Sequence, residues 1–523
     1  MTGFPTRSSY SRLVLTTSIA LVFITIRVFE IKEPWIGIHD FQGALFSLIS
    51  RNIEHYGFLN TSFGPVISWT GDQFYYYLHH PHLLWILGAF MCRILGDHEW
   101  VYRIISISFS AGTLILLHRL VKRLWDRDHA IVAIFFYSLI PMDAYYSRGY
   151  SYETAVSFFL LLMTLLYLNL LETNRDRYYF LILIVFLLAG MIGWPTYYIL
   201  PMFAIHYHLY AGPGRESIQK ALLFILAGIL LFLLFVLYTR FLTDSWTESG
   251  LLEGFINRSG IPIGEVGKKS YSLRSFILRQ GERSFRLLTP VAILLAFAWL
   301  YDAFKSFGAS MRRSTAHCLV LMFVMVAVIH VALFLDGAWR HEYWLYYFVI
   351  PVSMASSHSV IKIQRILRKH HSILSTVFLA IVILTFGIES TWTTLKQHQL
   401  IEGEGLYRLS LHLRNDQGAG EGTIFYMNRP QPLIGRYYHY FGENVLNKPS
   451  PRIAYYLDGK LRWGVTDLSD LHEIISSGEF TRLVTRNVFY QKTMDSSIKA
   501  WLDENCQSSE YLYFRIYNLK DRI

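Results

Sequence analysis

The sequence predicts an all-α polytopic membrane bundle of about 11 transmembrane helices plus interfacial helices, followed by a small C-terminal α/β extracytoplasmic domain. The first observation is composition: of 523 residues, 53% are hydrophobic and 16% are charged, with a mean hydropathy of +0.31. Soluble domains carry about 25% charged residues. The second is a series of apolar segments, each close in length to the ~20 residues that a helix needs to cross a bilayer. The third is a rise in polar residues after position 390.

The candidate spans follow one another along the chain, separated mostly by short loops. They are 13–30, 101–121, 129–147, 153–171, 178–193, 195–210, 219–240, 287–304, 315–335, 343–358 and 372–389. Segment 82–95 is apolar as well. Whether it spans determines on which side of the membrane every later loop lies. If this segment lies in the interface, most arginines and lysines fall on the side of the N-terminus, as the positive-inside rule requires of cytoplasmic loops. If it spans, that asymmetry inverts halfway along the chain.

The charge distribution therefore predicts a cytoplasmic N-terminus in a cell-membrane protein, with the first apolar segment kept as an uncleaved anchor. The short loops on the opposite side contain only two basic residues, Arg148 and Arg340. The larger regions predicted to lie outside are 31–100, 241–286 and 390–523.

We expect residues 1–390 to form the transmembrane domain and residues 391–523 the extracytoplasmic domain. In region 241–286, Leu273, Phe276 and Ile277 predict a second interfacial helix. The last region alternates strand-like and helical runs, which is typical of a small α/β domain. The strand-like runs are Thr423–Met427, Arg482–Thr485 and Tyr511–Tyr517, and the helical runs are Leu406–Arg414, Asp467–Ile475 and Ser496–Asn505.

Net charge and cysteine usage exclude some classes of function. The net charge is +10, but no basic stripe accompanies a known nucleic-acid-binding module, so we assign the charge to cytoplasmic loops. Cys92, Cys318 and Cys506 are far apart in the sequence, so they indicate neither a disulfide framework nor a metal site.

Asp40 is predicted to lie just outside the membrane, after the first span. It stands beside His39 in the run Gly37-Ile-His-Asp-Phe-Gln-Gly43. The segment 44–53 that follows has apolar residues at helical spacing but is too short to span. We therefore predict an interfacial helix that holds Asp40 at the membrane surface. An ordinary exposed loop aspartate is the alternative interpretation.

Three histidines precede the apolar segment 82–95. His79, His80 and His82 flank Pro81, and their spacing does not match a zinc motif. We expect their ring nitrogens to form hydrogen bonds with a phosphate or hydroxyl of a substrate, and we predict no metal site. Interface histidines without a special role are an equally good interpretation.

A polar run links the third predicted span to the fourth. It contains Tyr145, Tyr146 and Arg148, and Glu153 follows at the start of the fourth span. Tyrosine faces can stack on sugars and a guanidinium offers a forked donor to phosphate, so the run predicts a site for a sugar and a phosphate. For Glu153 the alternative is capping and compensation of the helix dipole.

The run Trp339–Trp344 opens a late span and contains Arg340, His341 and Tyr343. Ionisable groups at the entrance of a span are costly unless they are used. Arg340 and His341 are therefore candidates to hold a lipid-linked phosphate.

On this topology the outer face carries two acids, arginines, histidines and aromatic rings above an apolar bundle that could accommodate a lipid tail. The set suits attack by an acceptor hydroxyl on a sugar linked to a lipid phosphate, in which a carboxylate accepts the proton and cations stabilise the leaving phosphate. The sequence has no glycine-rich phosphate loop, so a nucleotide donor is disfavoured. It also has no G-x-S-x-G elbow and no H-E-x-x-H motif.

In their order along the chain, these motifs resemble the GT-C superfamily of integral-membrane glycosyltransferases, in particular the protein O-mannosyltransferase and lipid A aminoarabinose transferase group. The resemblance covers roughly residues 10–360. Its runs are His39-Asp40, Ser50-Arg-Asn52, His80-Pro-His-Leu83, Glu99-Trp-Val-Tyr-Arg103, Arg123-Leu-Trp-Asp-Arg127, Tyr145-Tyr-Ser-Arg148 with Glu153, and His341-Glu-Tyr343. The family usually has Asp-Glu and Lys-Pro-Pro where this chain has His39-Asp40 and His80-Pro-His82, which leaves the donor sugar open.

The resemblance implies that Asp40 is the general base and that Glu153 is a second acid that orients the acceptor or the base. The residues expected to contact the donor phosphate or its lipid are His80, Arg148, Arg340, His341 and Tyr343. Those expected elsewhere in the substrate site are His39, His79, His82, Tyr145 and Tyr146. The implied partners are a polyprenyl-phosphate-linked sugar, a protein or glycolipid acceptor and the lipid bilayer, without nucleic acid. Relatives differ in their use of a divalent metal, so that cofactor stays open.

Two other classes of function are weighed against this one. A membrane transporter or lipid flippase would need polar groups near the bilayer midplane and, often, inverted repeats. The sequence has few charges within its spans and no such repeat, so this class ranks lower. A non-catalytic scaffold that presents the 390–523 region is the third interpretation.

Overall fold

The structure is a computed structural model that describes most of the chain. The described residues are 7–70, 73–212, 214–246, 250–261, 271–306, 315–416, 422–426, 450–457, 461–463, 465, 467–487 and 494–520. They divide into two compact units. The first unit comprises residues 1–32, 80–244 and 255–400, and the second comprises residues 33–79, 245–254 and 401–523.

Most of the described residues before position 400 are helical, because apolar segments of this length satisfy their backbone groups within a helix. The helices are α1 (Arg7–Val28), α2 (Asp40–Tyr56), α3 (Leu83–Leu95), α4 (Glu99–Leu124), α5 (Arg127–Leu139), α6 (Pro141–Tyr146), α7 (Tyr152–Thr173), α8 (Asp176–Gly190), α9 (Pro195–Ala211), α10 (Arg215–Thr243), α11 (Leu251–Ser259), α12 (Leu273–Leu288), α13 (Pro290–Ser306), α14 (Thr315–Leu333), α15 (Leu335–Arg340), a 3₁₀ segment (Glu342–Phe348), α16 (Val349–His370) and α17 (Ser372–His398). Between α2 and α3 lies a hairpin of β1 (Val66–Thr70) and β2 (Gln73–Tyr76).

Every predicted span overlaps one or two of these helices. Within the described part of the chain, six helices are long and apolar enough to cross a membrane, namely α1, α4, α7, α10, α14 and α17. The pair α12 and α13, bent by 106°, would add a seventh. The chain is thus a mostly helical multi-pass membrane protein, as predicted. The figure of about 11 stays a prediction, because the remaining predicted spans coincide with shorter or less apolar helices.

One predicted span is divided in the structure, and the segment predicted not to span forms a short helix. The predicted span 129–147 is two helices, α5 and α6, because Pro141 has no amide hydrogen to donate and therefore begins a new helix at its first position. The apolar segment 82–95 forms α3, whose 13 residues are too few to cross a bilayer unaided.

Close packing in the first unit joins α4 to α5 and α7, and α16 to α5 and α13. Gly112 of α4 faces the ring of Phe158 in α7, where a Cβ atom would lie 2.7 Å from the ring. By contrast, α10 exposes leucines such as Leu230 and Leu234, the pattern of a helix that faces lipid.

The second unit contains a mixed five-stranded sheet near the C-terminus, in the order β4-β3-β5-β7-β6. Strand β3 runs parallel to β4 and β5, whereas β7 runs antiparallel to β5 and β6. The elements are α18 (Glu404–Asp416), β3 (Gly422–Phe425), α19 (Pro451–Tyr456), β4 (Leu461–Trp463), α20 (Leu468–Ser476), β5 (Phe480–Arg486), α21 (Ser496–Asn505), β6 (Ser508–Tyr511) and β7 (Phe514–Asn518). This sheet with its covering helices confirms the small α/β region.

The strand predicted over Tyr511–Tyr517 is wrong as a single strand. The chain turns at Leu512, whose φ of 55° lies in the left-handed region, so β6 and β7 form an antiparallel hairpin. The predicted strand Thr423–Met427 corresponds to β3, although Met427 lies outside the described residues. The three predicted helical runs correspond to α18, α20 and α21.

Candidate active site

Asp40, the predicted base, is the first residue of α2 in the second unit. Its Oδ2 accepts a hydrogen bond from the Gly37 amide at 2.8 Å, and its own amide donates to the Gly37 carbonyl at 3.1 Å. His39, just before it, has a left-handed φ of 64°. These bonds close a tight turn, so the carboxylate is oriented by its own loop at the positive end of the helix dipole.

A second set of bonds, from residues near the C-terminus, fixes the chain immediately before this turn. The amide of the buried Trp35 donates to the Tyr456 hydroxyl at 2.6 Å. Arg452 donates to the carbonyls of Trp35 and Gly37, at 3.1 and 3.0 Å. The amides of residues 402 and 403 both donate to the Ile36 carbonyl, at 2.9 and 3.0 Å. The turn that holds Asp40 is therefore braced by two distant parts of the chain.

Helix α2 is also fixed along its length within the second unit. A Cβ on Gly43 would lie 2.4 Å from the Trp35 ring, so only glycine allows this approach. Arg51 donates to the carbonyls of residues 454 and 455, and Asn52 donates to those of residues 66 and 67. The prediction of a helix here is confirmed. Its apolar face is buried by protein rather than exposed to a bilayer, which differs from the predicted reason for placing it in the interface.

The three histidines before α3 have different surroundings. His79, in the second unit, packs its ring against Tyr77 and against Gly254. In the first unit, the His80 ring lies 4.6 Å from that of Tyr152. His82 lies among the rings of Trp85, Phe235 and Tyr238, at 5.8, 5.4 and 5.3 Å.

Burial lowers the pKa of His82 to about 3, so its ring is neutral at physiological pH and offers one donor and one acceptor. In the part of the chain that the structure describes, no three His, Cys, Asp or Glu residues are grouped so that they could hold a metal ion.

The predicted residues of α6 and of the 3₁₀ segment meet in the first unit. The Tyr146 hydroxyl donates to Glu342 Oε1 at 2.7 Å, and the Tyr146 ring lies 6.4 Å from that of Tyr343. His341 stacks on Tyr343 at 5.1 Å. Glu342 is 5% exposed and forms an ion pair with Arg286 of α12 through its other oxygen. A buried carboxylate requires such partners, so Glu342 ties three elements together.

Deeper in the same unit, Asp143 anchors α6 to its neighbours. Its carboxylate forms an ion pair with Arg27 of α1, and both side chains are 0% exposed. The carboxylate also accepts hydrogen bonds from Ser110, Tyr137 and Tyr346. This network sets where α6 begins and therefore where Tyr145 and Tyr146 are presented.

Arg148 follows α6 and is buried. Its Nη2 donates to the Glu30 carbonyl at 3.1 Å, its Nη1 contacts the His398 ring, and its own carbonyl accepts from Arg103 at 3.3 Å. The Tyr145 ring lies 5.3 Å from that of His398. These contacts place Arg148 beside the predicted tyrosines at the end of α17.

Glu153 lies in the first turn of α7 and is 4% exposed. Helix α7 packs against the 3₁₀ segment. The position also fits the alternative interpretation, in which the carboxylate compensates the helix dipole. Arg340 forms an ion pair with Asp336 at 2.5 Å, one turn earlier in α15, so it would have to share its charge with that carboxylate to bind a phosphate.

The first unit therefore gathers Tyr146, Tyr343 and His341 around Glu342, with Tyr145 and Arg148 on the same α6 side. Asp40, His39 and His79 belong to the second unit. The convergence of Asp40 with Glu153 stays a prediction. Glu342 and Asp143 were not predicted as organising residues. Asp143 is an ionisable group within the predicted span 129–147 and Glu342 immediately precedes the predicted span 343–358, which is the signal that could have identified them.

Comparisons with known proteins bear on the class of the chain. Residues 79–238 match the family described as dolichyl-phosphate-mannose-protein mannosyltransferase. No curated protein matches the chain in sequence. The fold is similar to that of ArnT from Cupriavidus metallidurans bound to undecaprenyl phosphate, with a TM-score of 0.61, 10% identity, and coverage of 97% of this chain and 98% of that chain.

A second similar structure is the archaeal oligosaccharyltransferase AglB from Archaeoglobus fulgidus in complex with an inhibitory peptide and a dolichol-phosphate. Its TM-score is 0.57 and its identity 12%, with coverage of 92% of this chain and 70% of that chain. At such identities the likeness is one of fold.

The family match over residues 79–238 and the fold similarity to ArnT and AglB agree with each other. The resemblance predicted from the sequence is thereby confirmed.

Proposed function

We propose that the chain transfers a sugar from a polyprenyl-phosphate donor to an acceptor hydroxyl, on a protein or a glycolipid, at the extracytoplasmic face of the cell membrane. Asp40 is the general base. The observation that carries this role is the fixed orientation of its carboxylate, held by the Gly37 amide in a turn that Arg452 and Tyr456 brace. A base that is positioned before the substrate arrives loses little free energy on reaching the reactive geometry.

In the proposed reaction the acceptor oxygen attacks the anomeric carbon of the donor sugar. The bond between that carbon and the phosphate oxygen breaks, and the polyprenyl phosphate leaves. The hydroxyl proton passes to Asp40, and Glu153 orients the acceptor or the base. Negative charge grows on the leaving phosphate, which is where cationic and hydrogen-bonding groups contribute most to the rate.

We assign Arg148, His80 and His341 to the donor phosphate, with Tyr343 stacked on His341. Support comes from the buried position of Arg148 next to Tyr145 and from the stacking of His341 on Tyr343. ArnT and AglB were each solved with a polyprenyl-type phosphate, undecaprenyl phosphate and dolichol-phosphate respectively. The AglB complex also holds an inhibitory peptide, which is consistent with a protein acceptor.

The membrane topology belongs to the same proposal. About 11 spans with a cytoplasmic N-terminus place Asp40, the predicted donor residues and the C-terminal region on the outer face. Its support is the positive-inside distribution of arginine and lysine.

Replacement of the base tests the proposal. Purified Asp40→Asn protein, incubated with candidate polyprenyl-phosphate sugars and acceptors, is expected to lose transfer by about 10²–10⁴-fold, the usual contribution of general base catalysis. Mass analysis of the acceptors measures the product. Glu54→Gln, a carboxylate on the same helix, is the matched control and should transfer at the unaltered rate. Full activity of Asp40→Asn in a folded protein would refute the assigned base.

A further inference from the structure

A cavity of about 490 Å³ opens where the end of α4, the start of α5 and the last turns of α16 meet in the first unit. Its volume falls in the range of about 300–1,000 Å³ that is typical of small-molecule sites. Its lining combines apolar side chains, such as Trp125 and Ile366, with histidine and cationic side chains. None of its lining residues takes part in the candidate active site.

This cavity lies at the opposite end of two helices from the candidate active site. Helix α5 begins at the cavity and leads into α6, which carries Tyr146. Helix α16 follows directly on the 3₁₀ segment that contains Tyr343, and reaches the cavity near its other end, at Lys369. With a rise of ~1.5 Å per residue, Lys369 lies about 30 Å along α16 from its first residue, which equals the thickness of a bilayer core.

The cavity has an excess of positive charge along one face of α16. Lys362, Arg365 and Lys369 all line it, because a spacing of three and four residues returns side chains to the same side of a helix. Arg365 forms an ion pair with Asp126 at 2.5 Å, and Lys362 with Asp302 at 2.6 Å. Lys369 forms no hydrogen bond or ion pair with any residue that the structure describes.

Asp126 is the carboxylate among the residues that line the cavity, and both of its oxygens already have partners. Its Oδ1 accepts from the amides of Asp128 and His129, at 2.9 and 3.0 Å, and so caps α5. Its Oδ2 is the partner of Arg365. The carboxylate therefore leaves the charge of Lys369 uncompensated.

A second observation points to a ligand. The His358 ring lies 5.0 Å from that of Trp125 and 5.8 Å from that of His129. Its Nδ1 atom is buried, yet it has no hydrogen-bond partner within the described ranges. A buried ring nitrogen without a partner is costly, and a bound group with polar oxygens would satisfy it. The histidines here do not form a set that could hold a metal ion among the described residues.

We propose that this cavity binds a phosphate group, namely that of an anionic lipid headgroup in the leaflet opposite the candidate active site. Lys369 and Arg365 face the phosphate oxygens, and His358 contributes a ring nitrogen. Trp125 and Ile366 contact the apolar part next to the headgroup. A free phosphate ester shares this chemistry, and the test below separates the two sources.

The test is lipid binding by the full chain in detergent, followed by native mass spectrometry during titration with phosphatidylglycerol or phosphatidylcholine. We expect phosphatidylglycerol to bind in preference, and Lys369→Gln to weaken its binding about fivefold, the effect of one basic residue at an anionic headgroup. Arg368→Gln is the matched control, because Arg368 is the neighbouring exposed cation on α16 and does not line the cavity. Lys369→Arg should restore binding.

His358→Phe provides an independent variant that keeps a ring in the cavity and removes the nitrogen. This variant should also weaken phosphatidylglycerol binding relative to the Arg368→Gln control. Soluble glycerol phosphate should not displace the bound lipid at millimolar concentration; full displacement would overturn the lipid assignment in favour of a free phosphate ester. Equal losses in Lys369→Gln and Arg368→Gln, or no preference over phosphatidylcholine, would overturn the site.

Discussion

At the scale of single residues, Glu342 shows how a buried charge can organise a site. One of its oxygens accepts the Tyr146 hydroxyl, and the other forms an ion pair with Arg286. Removing the charge while keeping the shape would leave Arg286 without its closest carboxylate. The second carboxylate near Arg286 is that of Glu282, which lies 3.9 Å from the guanidinium and is largely exposed.

We therefore predict that Glu342→Gln lowers the free energy of unfolding by about 2 kcal/mol, the range for a hydrogen bond to a charged group. Thermal unfolding in detergent measures this as a lower midpoint. Glu282→Gln, the other partner of Arg286, should change stability by less than about 0.5 kcal/mol, as exposed substitutions do. Equal midpoints for the two variants would contradict the role given to Glu342.

His82 predicts a pH dependence of stability. The folded protein keeps its ring neutral down to a pKa of about 3 because the ring is buried, whereas in the unfolded chain the ring takes up a proton below its ordinary value of 6.5. The unfolded state thus binds more protons in this window, and stability falls as the pH drops from 6.5 towards 3.

In His82→Gln the midpoint of thermal unfolding should fall less steeply between pH 6.5 and pH 4 than in the unaltered chain. The readout is the slope against pH, which does not depend on the absolute stability of the variant. His55→Gln, on the exposed side of α2, is the control and should retain the original slope.

Residue-level prediction from the sequence succeeded where neighbours in the chain are neighbours in space. His341 and Tyr343, two residues apart, do stack on each other. Glu342 between them was not singled out, because its partner Arg286 is 56 residues away and its partner Tyr146 is 196 residues away. The same holds for Asp143 and Arg27, 116 residues apart.

At the scale of elements, the turn before α2 depends on parts of the chain close to the C-terminus. Arg452 donates to two carbonyls of this turn, those of Trp35 and Gly37, and the Gly37 carbonyl also accepts from the Asp40 amide. A buried carbonyl that loses its donor is costly, so the turn should loosen when Arg452 is replaced.

We predict that Arg452→Met lowers the rate of sugar transfer at saturating donor and speeds amide hydrogen exchange over residues 36–42. Methionine keeps the aliphatic stem and removes the guanidinium. Arg408→Met is the control in the same unit, because Arg408 is 57% exposed and pairs only locally, with Glu404. An unaltered exchange rate in Arg452→Met would contradict the bracing role.

Element boundaries followed apolar length and turn chemistry closely, since these are local. Helix breaks such as that at Pro141 and the hairpin turn at Leu512 were missed, because an apolar run does not reveal a change of direction within it. The covering of the apolar face of α2 could not be predicted at all, because periodicity shows that a face is apolar and not what covers it.

At the scale of the whole molecule, the proposed topology places the two ends of α16 on opposite sides of the membrane. The first unit supplies the apolar bundle, and the second unit carries Asp40 and the C-terminal sheet. The topology is therefore testable by labelling at two positions.

A membrane-impermeant maleimide should label Gln507→Cys, in an otherwise cysteine-free chain, in intact cells. Residue 507 is exposed, next to β6. Lys369→Cys in the same background should be labelled only after the membrane is permeabilised. Labelling of both positions in intact cells, or the reverse pattern, would contradict the proposed topology.

The bonds between the Asp40 turn and Arg452 also limit how early in synthesis this turn can be completed. Arg452 lies 417 positions after Trp35 in the sequence. At ~5–20 residues per second the ribosome therefore adds Arg452 about 20–80 s after Trp35. During that interval the turn lacks the guanidinium donors of Arg452. A nascent chain would therefore insert its first helices in the membrane before the turn that holds Asp40 is complete, and under the proposed function transfer would begin only after Arg452 has been synthesised.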